Sequence, residues 1–132
     1  WGHASKKIIK AMNIIKPPFN VNQFAQVAAI EALKDKNFIN ESASHNTVAA
    51  NKIKKFLEKF NIFSNEVTAN FLLLNFDKCK FTANNVFKKL QSKKIILRST
   101  EDGYNIKNKL RLSIGSNKEN NKFIKAIKDI FN

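Results

Sequence analysis

Apolar residues recur at helical spacing through the first sixty positions and at strand spacing through much of the remainder. Ile8, Ile9, Met12 and Ile15 share one face of a helix expected over Ser5–Ile15. Lys16-Pro17-Pro18 ends it, because proline cannot donate a backbone bond and restricts the residue before it. A second helix is expected after Asn20 or Asn22, either of which can cap it. Its stripe, Val21, Phe24, Ala25 and Ala28 with Val27, Ile30 and Leu33 alongside, is broad and alanine-rich. Such a stripe predicts close packing on more than one side. A third helix is expected over Asn37–Phe60, with room for a kink between Ser42 and Asn46. In its later half Ala49, Ile53, Phe56 or Leu57, and Phe60 face inward while Lys52, Lys55 and Lys59 face water.

The grammar then changes. Asn70–Phe76 is almost continuously apolar, the mark of a strand covered on both faces. Thr82 can cap a helix carrying Val86, Phe87 and Leu90. A second strand is expected through Lys94-Ile95-Ile96-Leu97-Arg98 to Ser99, then turn chemistry at Glu101-Asp102-Gly103 and a long loop. The third strand, Leu110–Ile114, alternates, with Leu110, Leu112 and Ile114 on one side and Arg111 and Ser113 on the other. Ser116 with Glu119 three residues later forms a capping box for a last helix striped by Phe123, Ile124, Ile127, Ile130 and Phe131. Three helices followed by strand-helix-strand-strand-helix predict an α+β fold, an α/β sandwich with a three-stranded sheet. The expected division is residues 1–36 as linking helices and 37–132 as the α+β module.

Composition narrows the chemistry. The chain has 132 residues, enough for one real core, and a net charge of +14 that invites a nucleic-acid reading. Lysine is spread along the whole length without a basic patch, which favours a solvated surface over a phosphate track. Nucleic acid is kept only as an alternative, beside a non-catalytic interaction domain. A single cysteine, Cys79, excludes an internal disulfide, and His3 and His45 lack metal-ligand spacing. With no apolar stretch of spanning length, the chain reads as cytoplasmic, with no membrane partner and no metal.

The arginines stand apart. Of 24 basic residues only Arg98 and Arg111 are arginine, and both fall in apolar strand segments rather than in the lysine runs. Lysine is a hydrated point charge, whereas arginine is a planar fork that grips a carboxylate or phosphate with two parallel bonds. An anionic small molecule is the expected partner. For Arg98 a structural ion pair with Glu101 or Asp102 is an equal alternative. For Arg111 no acidic residue is an obvious local partner.

Four segments in register resemble one family. Ile15-Lys16-Pro17-Pro18-Phe19-Asn20-Val21-Asn22 with Ala28-Ala29 is similar to the inter-domain segment of histidinol-phosphate aminotransferases, pyridoxal-phosphate enzymes of the aspartate aminotransferase fold (fold type I). Ala69-Asn70-Phe71 resembles the first strand of their small domain, and Ile95-Ile96-Leu97-Arg98 a later one, with Lys94 where glycine is usual. Leu110-Arg111-Leu112-Ser113-Ile114-Gly115-Ser116, with Glu119-Asn120, resembles their last strand and helix opening. The resemblance implies a C-terminal fragment: a large-domain remnant with inter-domain helices, then the small C-terminal domain. It implies a transaminase of histidine biosynthesis in the full-length, homodimeric protein, acting on an amino-acid or phosphate substrate. Arg111 would bind the substrate carboxylate, and Arg98 would help hold the anionic end. Trp1-Gly2 resembles the end of a stretch that comes after the cofactor-binding lysine and arginine. The segment would thus lack the Schiff-base lysine, carry no catalytic or cofactor-binding residue of its own, and be inactive alone.

Overall fold

Asn22 opens the second helix by accepting a hydrogen bond from the Ala25 amide at 2.9 Å, one of the orphan donors that every helix start must satisfy. The structure, a computed structural model, describes residues 3–132, so the reading of Trp1-Gly2 lies outside the described residues. It separates into two units, one ending at Ile39 and one running from Asn40 to Asn132.

The first unit holds α1 (Lys6–Ile15), α2 (Gln23–Lys34) and the start of α3 (Lys36–Glu58). Neither α1 nor α2 contains a buried residue. The close packing expected around α2 is therefore not found: Phe24 is 89% exposed and Leu33 74%. Periodicity marks a face that needs cover, and these residues of the chain leave that face open to water.

In the second unit α3 continues without interruption to Glu58 and buries Ala49, Ala50, Ile53 and Leu57. It stops at Asn61, which takes φ +56° while Ile62 N–H reaches back to Leu57 O and Asn61 N–H to Glu58 O. This left-handed closure satisfies the last carbonyls of the helix. The sheet is antiparallel, in the order β1 (Phe63–Ser64), β2 (Phe71–Asn75), β4 (Lys109–Ser113), β3 (Arg98–Ser99). It has one strand more than expected, because Phe63–Ser64 pairs with Asn75 and Leu74 at the edge. Two residues are too few to show a periodicity.

The α+β class holds, and the core lies on one face of this sheet. Leu72 and Leu74 from β2, and Leu110 and Leu112 from β4, pack with α3, with Val86 and Leu90 of α4 (Ala83–Ser92), and with Phe123 and Ile127 of α6 (Asn117–Phe131). Strand β2 is thus buried on alternate residues, not on both faces as its apolar run implied. Phe71 and Leu73, on its other face, are half-buried beside Arg111. Phe56, Phe60, Phe131 and Phe81 meet in that order, edge-on or tilted, at centroid separations of 4.6–5.4 Å against the core. They are core packing, not free platforms for bases.

The second expected strand also shrinks. Lys94 adopts φ +59°, and Ile95 N–H turns back to Leu90 O, closing α4 as Asn61 closes α3. That closure carries Ile95–Leu97 off the sheet, so pairing begins only at Arg98, opposite Arg111. The turn expected at Glu101-Asp102-Gly103 is a single helical turn, α5 (Glu101–Tyr104), interrupted by Gly103 at φ +99°.

Candidate anion-binding site

Alternation along β4 puts Leu110 and Leu112 into the core and turns Arg111 to the opposite face. Register sets its neighbours there, Leu73 on one side and Arg98 on the other. The sheet therefore brings the chain's two arginines to directly opposed positions, where like charges repel. Neither is in an ion pair among the described residues, so the link from Arg98 to Glu101 or Asp102 does not form.

Aromatic rings stand where carboxylates were the alternative. The Arg111 guanidinium lies 5.2 Å from the centre of the Phe71 ring, and the Arg98 guanidinium 5.2 Å from that of Tyr104. A ring attracts the cation through its π face and consumes no N–H donor. Arg111 Nε is buried with no hydrogen-bond partner. A buried orphan donor costs about 1–3 kcal/mol, and the fold carries that cost at Arg111.

Both arginines line a cavity of about 780 Å³ with Lys94, Ile96, Ser113 and Lys122. Two carboxylates, Asp102 and Glu119, also reach its wall. Glu119 is already engaged: one oxygen accepts from Ser116 N–H at 2.8 Å and from Ser116 Oγ at 2.7 Å. The Ser116 hydroxyl, then its backbone N–H, hold the Glu119 carboxyl below its ordinary value. The capping box read from the sequence is thus formed.

Gly115 joins that wall to the core. Its N–H donates to Asn120 Oδ1 at 3.0 Å, and its carbonyl accepts from Asn120 Nδ2 at 2.8 Å. The same carbonyl lies 2.9 Å from His45 Nε2, which must be the protonated nitrogen because a carbonyl only accepts. A Cβ at Gly115 would meet Glu119 Oε2 at 2.8 Å and Glu119 Cβ at 3.0 Å. Sequence spacing does not pair His45 with Asn120, because they lie on helices far apart in the chain, with the whole sheet between them in sequence.

The other end of β4 is fastened by Asn108, at φ +52°. Its side chain accepts from Ala83 N–H at 2.8 Å and donates to Asp77 at 3.1 Å. Asn108 first, and Lys109 beside it, hold the Asp77 carboxyl low. No group of three potential metal ligands occurs among the described residues, and Cys79 stands alone. No helix of the described residues is long and apolar enough to cross a membrane.

Known proteins with this architecture carry the same sequence pattern. The chain is 73% identical, over its full length, to histidinol-phosphate aminotransferase from Pelagibacter ubique, of which it covers 37%. It is 35% identical over 127 residues to histidinol-phosphate aminotransferase from Caldicellulosiruptor saccharolyticus, covering 96% of this chain and 34% of that protein. The crystal structure of histidinol-phosphate aminotransferase from Clostridium acetobutylicum superposes with a TM-score of 0.81 at 27% identity, over 96% of this chain and 38% of the other. The chain thus spans little more than a third of the length of the relatives it matches. The model of aminotransferases of class I and II matches residues 1–127, and the chain belongs to that family.

Proposed function

We propose that the whole protein carrying this chain is a pyridoxal-phosphate-dependent histidinol-phosphate aminotransferase of histidine biosynthesis. It would move an amino group between histidinol phosphate or glutamate and 2-oxo acids, as a cytoplasmic homodimer. In this reading residues 1–36 are a remnant of a larger domain with inter-domain helices, and residues 37–132 form the smaller domain. The observation that carries the reading is the pair of arginines in one cavity, neither of them ion-paired among the described residues, in a chain 73% identical to such an enzyme. Arg111 would take the carboxylate of an amino-acid substrate on its fork, and Arg98 would help hold the anionic end, which in histidinol phosphate is the phosphate.

The cofactor would supply an electron sink for the carbanion formed at the substrate carbon. No lysine among the described residues is buried within this chain, and none is assigned as the imine-forming one. What the described residues do fit is orientation: a bidentate grip fixes the direction in which the substrate's bonds stand.

The test is amino transfer from histidinol phosphate to 2-oxoglutarate by the full-length protein. In that protein Arg111→Lys keeps the charge and loses the fork. The loss of a charge-assisted bond of about 1.5–3 kcal/mol predicts a fall in kcat/KM of roughly tenfold to a hundredfold. An unchanged kcat/KM removes Arg111 from the site, and absence of transfer from histidinol phosphate overturns the substrate. The 132-residue chain alone should give no borohydride-fixed pyridoxal-phosphate adduct at a unique lysine.

A further inference from the structure

The two arginines are not held alike. Arg111 is half-buried in the middle of the sheet, between β2 and β3, with its ring partner Phe71 on the adjoining strand. Arg98 is exposed on an edge strand two residues long, and its segment has already left the sheet at Leu97. A long side chain in that position keeps most of its rotamer freedom, which an anion would have to remove on binding. Tyr104 stands against it, with the guanidinium carbon 5.2 Å from the ring centre.

Tyr104 is delivered by a closed loop. Thr100 is buried, and its hydroxyl lies 2.8 Å from Ile106 O and 3.0 Å from Lys109 O. Ile106 N–H returns to Thr100 O at 3.1 Å, so the loop is tied at its base on both strands of backbone. Between these ties Gly103 at φ +99° and Asn105 at φ +53° reverse the chain on either side of Tyr104. The loop backbone therefore sets where Tyr104 stands, and its half-exposed ring meets Arg98 from there.

We propose that Tyr104 is a positioning residue for anion recognition: its ring holds the Arg98 guanidinium over the cavity so that the outer N–H groups face a phosphate monoester or carboxylate. The proposal rests on the assignment of Arg98 to the substrate site. It concerns the ring and not the hydroxyl, so phenylalanine should serve as well as tyrosine.

The experiment is a double-mutant cycle in the full-length enzyme with histidinol phosphate as the varied substrate. An exposed cation–π contact predicts that Tyr104→Leu raises KM by about twofold to fivefold with kcat unchanged. Tyr104→Phe should keep the parent KM. Arg98→Met should raise KM further, and the double variant Arg98→Met with Tyr104→Leu should match Arg98→Met alone, because the ring has nothing left to hold. Multiplicative losses in the double variant, or a Tyr104→Phe defect as large as that of Tyr104→Leu, overturn the positioning role while leaving Arg98 in the site. An unchanged KM in Arg98→Met overturns both the assignment of Arg98 and the role of Tyr104. Thermal midpoints check that each variant is folded. Should Tyr104→Leu fail to fold, Tyr104→Gln completes the same cycle.

Discussion

The two units of this chain carry equally convincing hydrophobic patterns and meet opposite fates. Ile8, Met12, Phe24 and Leu33 lie on helical stripes and stay exposed, whereas Ile53, Leu72, Leu110 and Ile127 are essentially sealed from water. The difference is not in the local pattern. From Asn40 onward the chain contains both the striped helices and the sheet they cover, so the main apolar faces find their complement within the same unit. Up to Ile39 it contains the stripes alone. Amphipathic spacing is evidence that a face must be covered, and it carries no information about what covers it.

The largest test of this contrast compares one residue from each unit in the 132-residue chain. Leu72 is fully buried, and Leu72→Ala should cost about 2–5 kcal/mol, read as a lowered urea midpoint. Phe24, though larger, is exposed, and Phe24→Ala should change stability by no more than about 0.5 kcal/mol. Equal losses would mean that the stripe of α2 is covered after all, and the distinction between the units would go. In the full-length protein Phe24→Ala should become costly if residues 1–36 are inter-domain helices.

Next in size is the joint between sheet and α6. Gly115→Ala drives a methyl group into Glu119 while Asn120 grips both polar groups of the same residue. The expected loss is about 1–3 kcal/mol, the usual cost of forcing extra volume into a tight site. A neutral effect would show that the capping box yields freely and that the cavity wall is softer than its hydrogen bonds imply.

Legibility in the sequence depends on how local each signal is. The alternation at Leu110–Ile114, the Ser116–Glu119 box and the Thr82 cap depend on residues a few positions apart, and all are found. Arg111 and Arg98 stand out because they break a lysine habit. That they lie opposite each other, bracketed by Phe71 and Tyr104, depends on register between strands distant in sequence. The choice for Arg98 between an ion pair with Glu101 or Asp102 and an anionic ligand is likewise a matter of tertiary placement, not of local sequence. The Ile95–Leu97 run reads as strand because its residues favour one. It is overruled by Lys94, which accepts a left-handed conformation that the sequence would advertise only if it were glycine.

Lys94 also offers a smaller change of the opposite sign. Lys94→Gly removes the penalty of holding a side chain at φ +59° and should stabilise the second unit by roughly 1 kcal/mol. Asn61, which makes the same closure at φ +56°, should gain less from glycine, since asparagine tolerates this conformation better than lysine. A loss of stability in Lys94→Gly would show that the lysine chain makes contacts worth more than the strain.

The smallest effect is a dependence on acid that belongs to the second unit. Glu119 and Asp77 both have lowered carboxyl values, the first through Ser116 and the second chiefly through Asn108. A carboxyl that is more acidic folded than unfolded stabilises the fold above its unfolded value, and that contribution is lost as the pH falls through the folded one. Stability should therefore decline as the pH drops below about 4, the ordinary range for such groups. Glu119→Gln cannot titrate, so it should flatten this decline while lowering stability at neutral pH, where the charged acceptor is gone. Both carboxyls are exposed, so the change in slope should be modest, visible as a small shift of the urea midpoint between neutral and acid buffer. A slope in both Glu119→Gln and Asp77→Asn that equals the parent's would move the acid response away from the β4 termini and onto charges spread over the lysine-rich surface.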